Sequence, residues 1–144
     1  MNDSIQVKGR VKVWQGDSLI CDNSNLVVKV GLDLFARLVM GESDARLPNK
    51  FQLGNNGILS TMDMTGLQGT VVAECAATAV RRNNVLSWSG SFVFDSVERK
   101  TCREIVLINN EASPKILARF IPIQQFDLIT GTPIRINWEI IIGE

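Results

Sequence analysis

The sequence predicts a mainly β protein, an antiparallel β-sandwich or barrel of jelly-roll-like layout with one α-helix at about residues 28–40. Many short apolar segments are separated by turn residues, a pattern typical of sandwiches and barrels. Only one segment has the apolar period of a helix. The clearest strand is the last one, because apolar residues occupy every second position from Ile134 to Ile142, as in a strand with one buried face.

The chain begins with a predicted β-hairpin. Apolar residues alternate with polar ones from Ile5 to Val13, with Gly9 in phase on the apolar side. Residues 15–18 are turn formers, and residues 19–21 can pair back as the second arm. This pattern predicts a first strand that buries one face.

The predicted helix follows the hairpin. Four apolar residues share one of its faces: Leu32, Phe35, Ala36 and Val39. Lys29, Asp33 and Arg37 line the opposite face, and Gly41 is a natural C-terminal stop. We expect the apolar face to pack across the sheet.

Residues 41–69 are predicted to form a long loop region that contains only one strand-like segment, Phe51–Leu53. A loop of this length inside a compact domain is usually functional or mobile. It contains five large apolar residues: Ile58, Leu59, Met62, Met64 and Leu67. Since solvated loops have little use for such side chains, we expect some of them to contact a partner.

The segment Gly54–Gly57 is the nearest approach to a phosphate-binding motif. It lacks the Lys-Ser/Thr pair of a P-loop and the glycine spacing of a dinucleotide fingerprint. We interpret it as a turn in which Gly and Asn adopt positive φ.

The rest of the chain is predicted to be strands. Residues 70–81 read as one long strand, and residues 85–94 as the next, with Trp88 on its apolar face. Residues 103–108, residues 115–123 and the closing strand complete a single domain over residues 1–144.

Composition argues against an enzyme. Histidine and tyrosine are both absent, so neither a Ser-His-Asp arrangement nor an imidazole metal ligand is available. The three cysteines lack the close spacing of a metal site. A glycosidase-like pair of carboxylates is disfavoured because most glutamates are expected to point outward from the strands. We therefore expect no catalytic residues, no cofactor and no metal.

Charge and hydropathy limit the partners. Fifteen basic residues balance fifteen acidic ones, so we expect neither nucleic acid nor a membrane surface as a partner. No segment has the roughly 20 apolar residues of a membrane span. The first four residues lack the basic start of a secretory signal, and we expect the protein to be used without export.

Two residues stand out as candidates for a contact surface. Trp88 and Trp138 are in phase with the predicted core, whereas Trp14 is out of phase with Val11 and Val13. Trp14 is therefore the best candidate for an exposed aromatic contact. Ile141 is the one apolar residue on the polar side of the closing strand, which predicts an interface there.

Four features occur together in this chain: the segment Asn25–Leu38, the hairpin before it, the Gly/Asn loop after Phe51–Leu53 and the final Ile-x-Trp-x-Ile strand. This layout resembles small virion structural proteins of tailed bacteriophages. Such proteins are capsid decoration (cement) proteins or tail-fibre and baseplate-associated domains. The resemblance implies a virion location, self-association and contact with the major capsid protein. A tail-fibre or baseplate adaptor is the alternative. A carbohydrate-binding sandwich that uses Trp14 is a second alternative.

Overall fold

The computed structural model describes residues 6–143, which form twelve strands and one helix. The elements, in chain order, are β1 (Val7–Gln15), β2 (Ser18–Ser24), β3 (Leu26–Val27), α1 (Lys29–Val39), β4 (Lys50–Gly54), β5 (Val71–Ala76), β6 (Thr78–Arg82), β7 (Val85–Val93), β8 (Lys100–Cys102), β9 (Glu104–Ile108), β10 (Ile116–Phe120), β11 (Phe126–Leu128) and β12 (Pro133–Ile142). Ile5, which the sequence places in the first strand, lies outside the described residues. The mainly β prediction with one helix is confirmed.

Two five-stranded antiparallel sheets pack face to face. Sheet A has the order β2-β1-β12-β7-β6 and sheet B the order β3-β10-β9-β4-β5, while β8 and β11 form a separate ribbon. The closing strand β12 is the centre of sheet A, because it pairs with β1 on one side and with β7 on the other. Its buried face begins at Ile134, as the alternation predicts.

Aromatic side chains fill the space between the sheets. Trp138 is fully buried, stacks on Phe51 with a centroid distance of 6.1 Å and meets Phe120 edge-on at 6.2 Å. Trp88 is also buried, and its indole Nε1 donates a hydrogen bond of 2.9 Å to the carbonyl oxygen of Pro48. Both tryptophans are core residues, as the sequence phase predicts.

The outer face of sheet B is covered by α1. Gly31 allows this close approach, because a Cβ at that position would lie 2.0 Å from the carbonyl oxygen of Leu117. Leu34, one turn further along the same side of the helix, is fully buried. The predicted helix is present, but the prediction of its buried face is wrong: Leu32 and Val39 are 42% and 68% exposed. The helix is rotated because only the glycine side can lie directly on the strand.

The predicted long strand over residues 70–81 is wrong. It is two strands, with β5 at the edge of sheet B and β6 at the edge of sheet A. Buried Ala77 joins them, and its N–H donates 2.9 Å to the carbonyl oxygen of Asn49. The alternation of side chains cannot reveal this crossing, because both halves are extended and β-prone.

The outer face of sheet A has no covering element among the described residues. Side chains on this face line up across β1, β12 and β7; for example, Asn137 on β12 lies between Lys12 on β1 and Ser89 on β7. The two outer faces of the sandwich are therefore different: sheet B is covered by α1 and a loop, and sheet A is bare. Within residues 6–143, no helix has both the length and the apolarity needed to cross a membrane.

Candidate functional site

A buried ion pair lies on the outer face of sheet B. Glu104 is the first residue of β9, and Arg119 lies on the neighbouring strand β10. Both side chains are completely buried, and a guanidinium nitrogen (Nη2) of Arg119 lies 3.1 Å from Oε1 of Glu104. Burying two charges is costly unless their remaining hydrogen-bonding groups are satisfied.

The carboxylate of Glu104 is satisfied by the loop over residues 55–69, which we call the anchored loop. It accepts hydrogen bonds from the backbone N–H groups of Asn56 (3.1 Å), Gln68 (2.8 Å) and Gly69 (2.8 Å). Since these donors lie near the beginning and the end of the loop, one carboxylate closes the loop at its base.

The guanidinium of Arg119 is satisfied by the same loop. It donates to the carbonyl oxygens of Ile58 (2.7 Å) and Asn56 (2.9 Å), and to the hydroxyl oxygen of Ser60 (2.9 Å). The backbone is therefore fixed to the sheet at Asn56 and at Ile58, where the exposed apolar residues begin. Charge-assisted hydrogen bonds of this kind are stronger than neutral ones.

Gly54 permits the close fit between β4 and the ion pair. A Cβ there would lie 2.6 Å from Oε2 of Glu104 and 2.7 Å from Cδ2 of Leu67. The expected positive φ over residues 54–57 is wrong, since the described residues with positive φ all lie elsewhere. This glycine is required by close packing and not by turn geometry.

The structure divides the five predicted apolar loop residues into two groups. Ile58, Leu59 and Met62 are 56%, 78% and 42% exposed. Met64 and Leu67 are half-buried and pack against the apolar cluster under the loop. The first three are available to a partner, while the last two hold the loop down.

Trp14 and Ile141 lie on the bare face of sheet A, on the opposite side of the sandwich from the anchored loop. Both are half-buried. The guanidinium carbon of Arg135 lies 4.2 Å from the centroid of the Trp14 ring, a cation–π contact. Trp14 lies opposite Arg135, and Arg135 is six residues before Ile141 on the same strand. Trp14 and Ile141 are therefore roughly 20 Å apart along the sheet. They do not form one site.

A second cluster of charges ties the end of α1 to the turn after β9. Arg37 lies 3.0 Å from Oε1 of Glu111 and 3.2 Å from Oδ1 of Asp44. Burial acts to raise the pKa of Glu111, but hydrogen bonds from Arg37, the Arg46 backbone and Asn109 outweigh it, and the pKa lies below its ordinary value. This cluster fixes the helix end.

Sequence reasoning missed the ion pair, although a signal was present. Glu104 begins one strand and Arg119 lies within the next, and the other residues of both strands are all apolar. Charged residues in strands that are buried on both faces are almost never found unpaired. Two such residues of opposite charge, in strands joined by a hairpin, predict each other as partners.

The described residues contain no group of three or more Cys, Asp or Glu side chains arranged to hold a metal ion. The three cysteines are free, and burial raises the pKa of Cys21 and Cys75 to about 11. Comparison with known proteins gives no match to a family model, a curated protein or a solved structure.

Proposed function

We propose that this protein is a non-enzymatic structural protein of a tailed-phage virion, a capsid decoration protein that associates with itself and with the major capsid protein. The observation that carries the proposal is the anchored loop. Ile58, Leu59 and Met62 are exposed on a backbone that the buried pair Glu104–Arg119 fixes. Apolar side chains held in a fixed position on a surface are typical of a protein–protein contact.

The energetics favour a contact that is weak alone and strong in an array. Burying a large aliphatic side chain contributes about 1.5–3 kcal/mol. Because the loop is already ordered, little additional conformational entropy is lost on binding. Three such side chains give a modest contact, and repetition over a shell multiplies it by avidity.

The two faces of the sandwich suit a protein that lies between two neighbours. The anchored loop is on one side, and the bare face of sheet A, with Trp14 and Ile141, is on the other. We propose that the loop contacts the shell and that the bare sheet contacts a second copy. Closed symmetric oligomers are the usual form of such self-association.

Sedimentation and co-purification test this function. The purified protein is expected to sediment as an oligomer and to bind mature phage heads. Leu59→Lys is expected to abolish head binding without changing the oligomer, and Ile141→Lys to dissociate the oligomer. Val97→Lys is the matched control, because Val97 is 99% exposed and belongs to the segment between β7 and β8, outside the anchored loop and the strands of sheet A. Equal head binding by Leu59→Lys and wild type would contradict the proposed loop contact.

The tail adaptor is the second candidate, since the same two faces could join a fibre to a baseplate. Immunogold labelling of virions separates the two locations. A decoration protein labels the whole head surface, and label confined to the tail would overturn the head assignment while leaving self-association in place.

A further inference from the structure

A basic cleft lies beside the base of the anchored loop, between the start of β5 and the ribbon strand β8. Its volume is about 410 Å³. The polar residues that line it all carry hydrogen-bond donors: Asn55, Thr70, Arg99, Lys100, Thr101 and Arg103. No acidic residue is among its lining residues, although the whole chain has a formal net charge of zero.

One carboxylate is bonded to residues that line the cleft. Asp127 on β11 accepts hydrogen bonds from Thr101 Oγ1 (2.6 Å) and Arg99 Nε (2.9 Å). The bond from Thr101 and the pairing with Arg99 hold the pKa of Asp127 below its ordinary value. Glu98 is exposed and does not line the cleft. Asp127 thus positions two of the lining side chains and is not itself among the residues that line the cleft.

Lys100 and Arg103 form no ion pair among the described residues, and the charge of Asp127 acts on Arg103 only from beyond ion-pair distance. Across residues 6–143, neither side chain has a carboxylate within 4.0 Å or a hydrogen-bond acceptor. The backbone at Arg103 is fixed, because its N–H donates 2.8 Å to the carbonyl oxygen of Gly54. Thr70 is fixed as well, through its N–H bond of 2.9 Å to Oδ1 of Asn55.

We propose that this cleft binds a small phosphate-bearing ligand, a phosphate monoester or a diphosphate. The planar fork of an arginine matches two phosphate oxygens at once, and a lysine adds a point charge. The volume lies within the range of small-molecule sites. The overall charge balance that argues against a polyanion over the whole surface does not apply to this local site. The inference does not depend on the proposed virion function.

The test is a titration of the full chain with inorganic phosphate and with pyrophosphate, followed by calorimetry and by backbone amide NMR. Pyrophosphate is expected to bind more tightly than phosphate, with shifts centred on Thr70 and Arg103, and to weaken as salt increases. Arg103→Gln is expected to weaken binding about tenfold or more. Arg82→Gln, on the exposed edge strand β6, is the matched control and is expected to change nothing.

Several outcomes would overturn the site. They are the absence of saturable binding, an equal loss of affinity in Arg82→Gln, and shifts spread over the whole surface. If a single-stranded oligonucleotide binds and pyrophosphate does not, the proposal of a small ligand is overturned and the cleft is assigned to nucleic acid. Thermal unfolding of Arg103→Gln is expected to match wild type, because the side chain is exposed. A lower melting temperature would assign Arg103 a structural role and overturn its role in binding.

Discussion

Glu104→Gln tests whether the buried ion pair holds the anchored loop. The substitution keeps the shape of the side chain and removes its charge, which leaves the buried guanidinium of Arg119 without a carboxylate. Breaking a buried pair in this way costs about 3–5 kcal/mol. Since domains are stable by about 5–15 kcal/mol, the variant is expected to fold with its melting temperature lowered by about 10–20 °C.

Two measurements follow the change. Urea unfolding gives the free energy of unfolding, and hydrogen exchange reports the N–H groups of Asn56, Gln68 and Gly69 that the carboxylate binds. These amides are expected to exchange faster in Glu104→Gln than in wild type. Glu74→Gln is the control, because it breaks a surface pair with Lys50 at 3.5 Å, and such pairs contribute less than about 1 kcal/mol.

The double variant Glu104→Leu with Arg119→Met separates stability from loop order. An apolar pair of similar volume is expected to restore much of the free energy of unfolding, since no charge is left buried and unpaired. The loop amides are expected to exchange faster than in wild type, as in Glu104→Gln, because neither leucine nor methionine can hydrogen-bond the loop backbone. A free energy of unfolding in Glu104→Gln within about 1 kcal/mol of wild type, with slow exchange, would refute the reasoning.

Three further predictions concern the core, the helix and pH. Trp138→Phe removes an indole N–H that lacks a partner, whereas Trp88→Phe removes a bonded one, so Trp88→Phe is expected to destabilise more, by about 1 kcal/mol, in urea unfolding. Gly31→Ala is expected to cost about 1–3 kcal/mol by overpacking, while Gly66→Ala, with open space around it, is expected to be neutral in thermal unfolding. The pKa of Glu111 is lowered in the folded state from its ordinary value of 4.5. The stabilisation that ionised Glu111 gives to the folded state is therefore complete above that pH and is lost as the pH falls further. When stability is measured at decreasing pH, wild type is expected to lose more stability below pH 4.5 than Glu111→Gln.

The sequence predicts the sandwich because burial on one face leaves a period of two in most strands. Ile134–Ile142 and the Trp88 strand are clear examples. It does not predict which sheet a strand joins, so residues 70–81 appear as one strand when Ala77 carries the chain from sheet B to sheet A. The prediction of the buried helix face is wrong for a related reason. A hydrophobic period gives no weight to Gly31, and the close approach at that glycine decides the rotation.

The candidate site was only half visible in the sequence. The apolar composition of the loop predicts a contact, and Ile58, Leu59 and Met62 are indeed exposed. What fixes them is a contact between residues far apart in the chain, Glu104 and Arg119, and the length of a loop says nothing about its anchor. Composition can therefore suggest a contact surface, but the order of that surface depends on tertiary hydrogen bonds.

The chemistry of the anchor bears on its purpose. If stability of sheet B were the only requirement, two aliphatic side chains would supply it without the cost of burying charge. Only charged groups offer enough acceptors and donors to bind the loop backbone, and here the carboxylate of Glu104 accepts three N–H bonds while the guanidinium of Arg119 bonds two carbonyls and a hydroxyl. The pair thus specifies one conformation of the loop. A fixed loop with exposed apolar side chains is costly for a protein that meets only water, and it is useful to one that repeats the same contact many times.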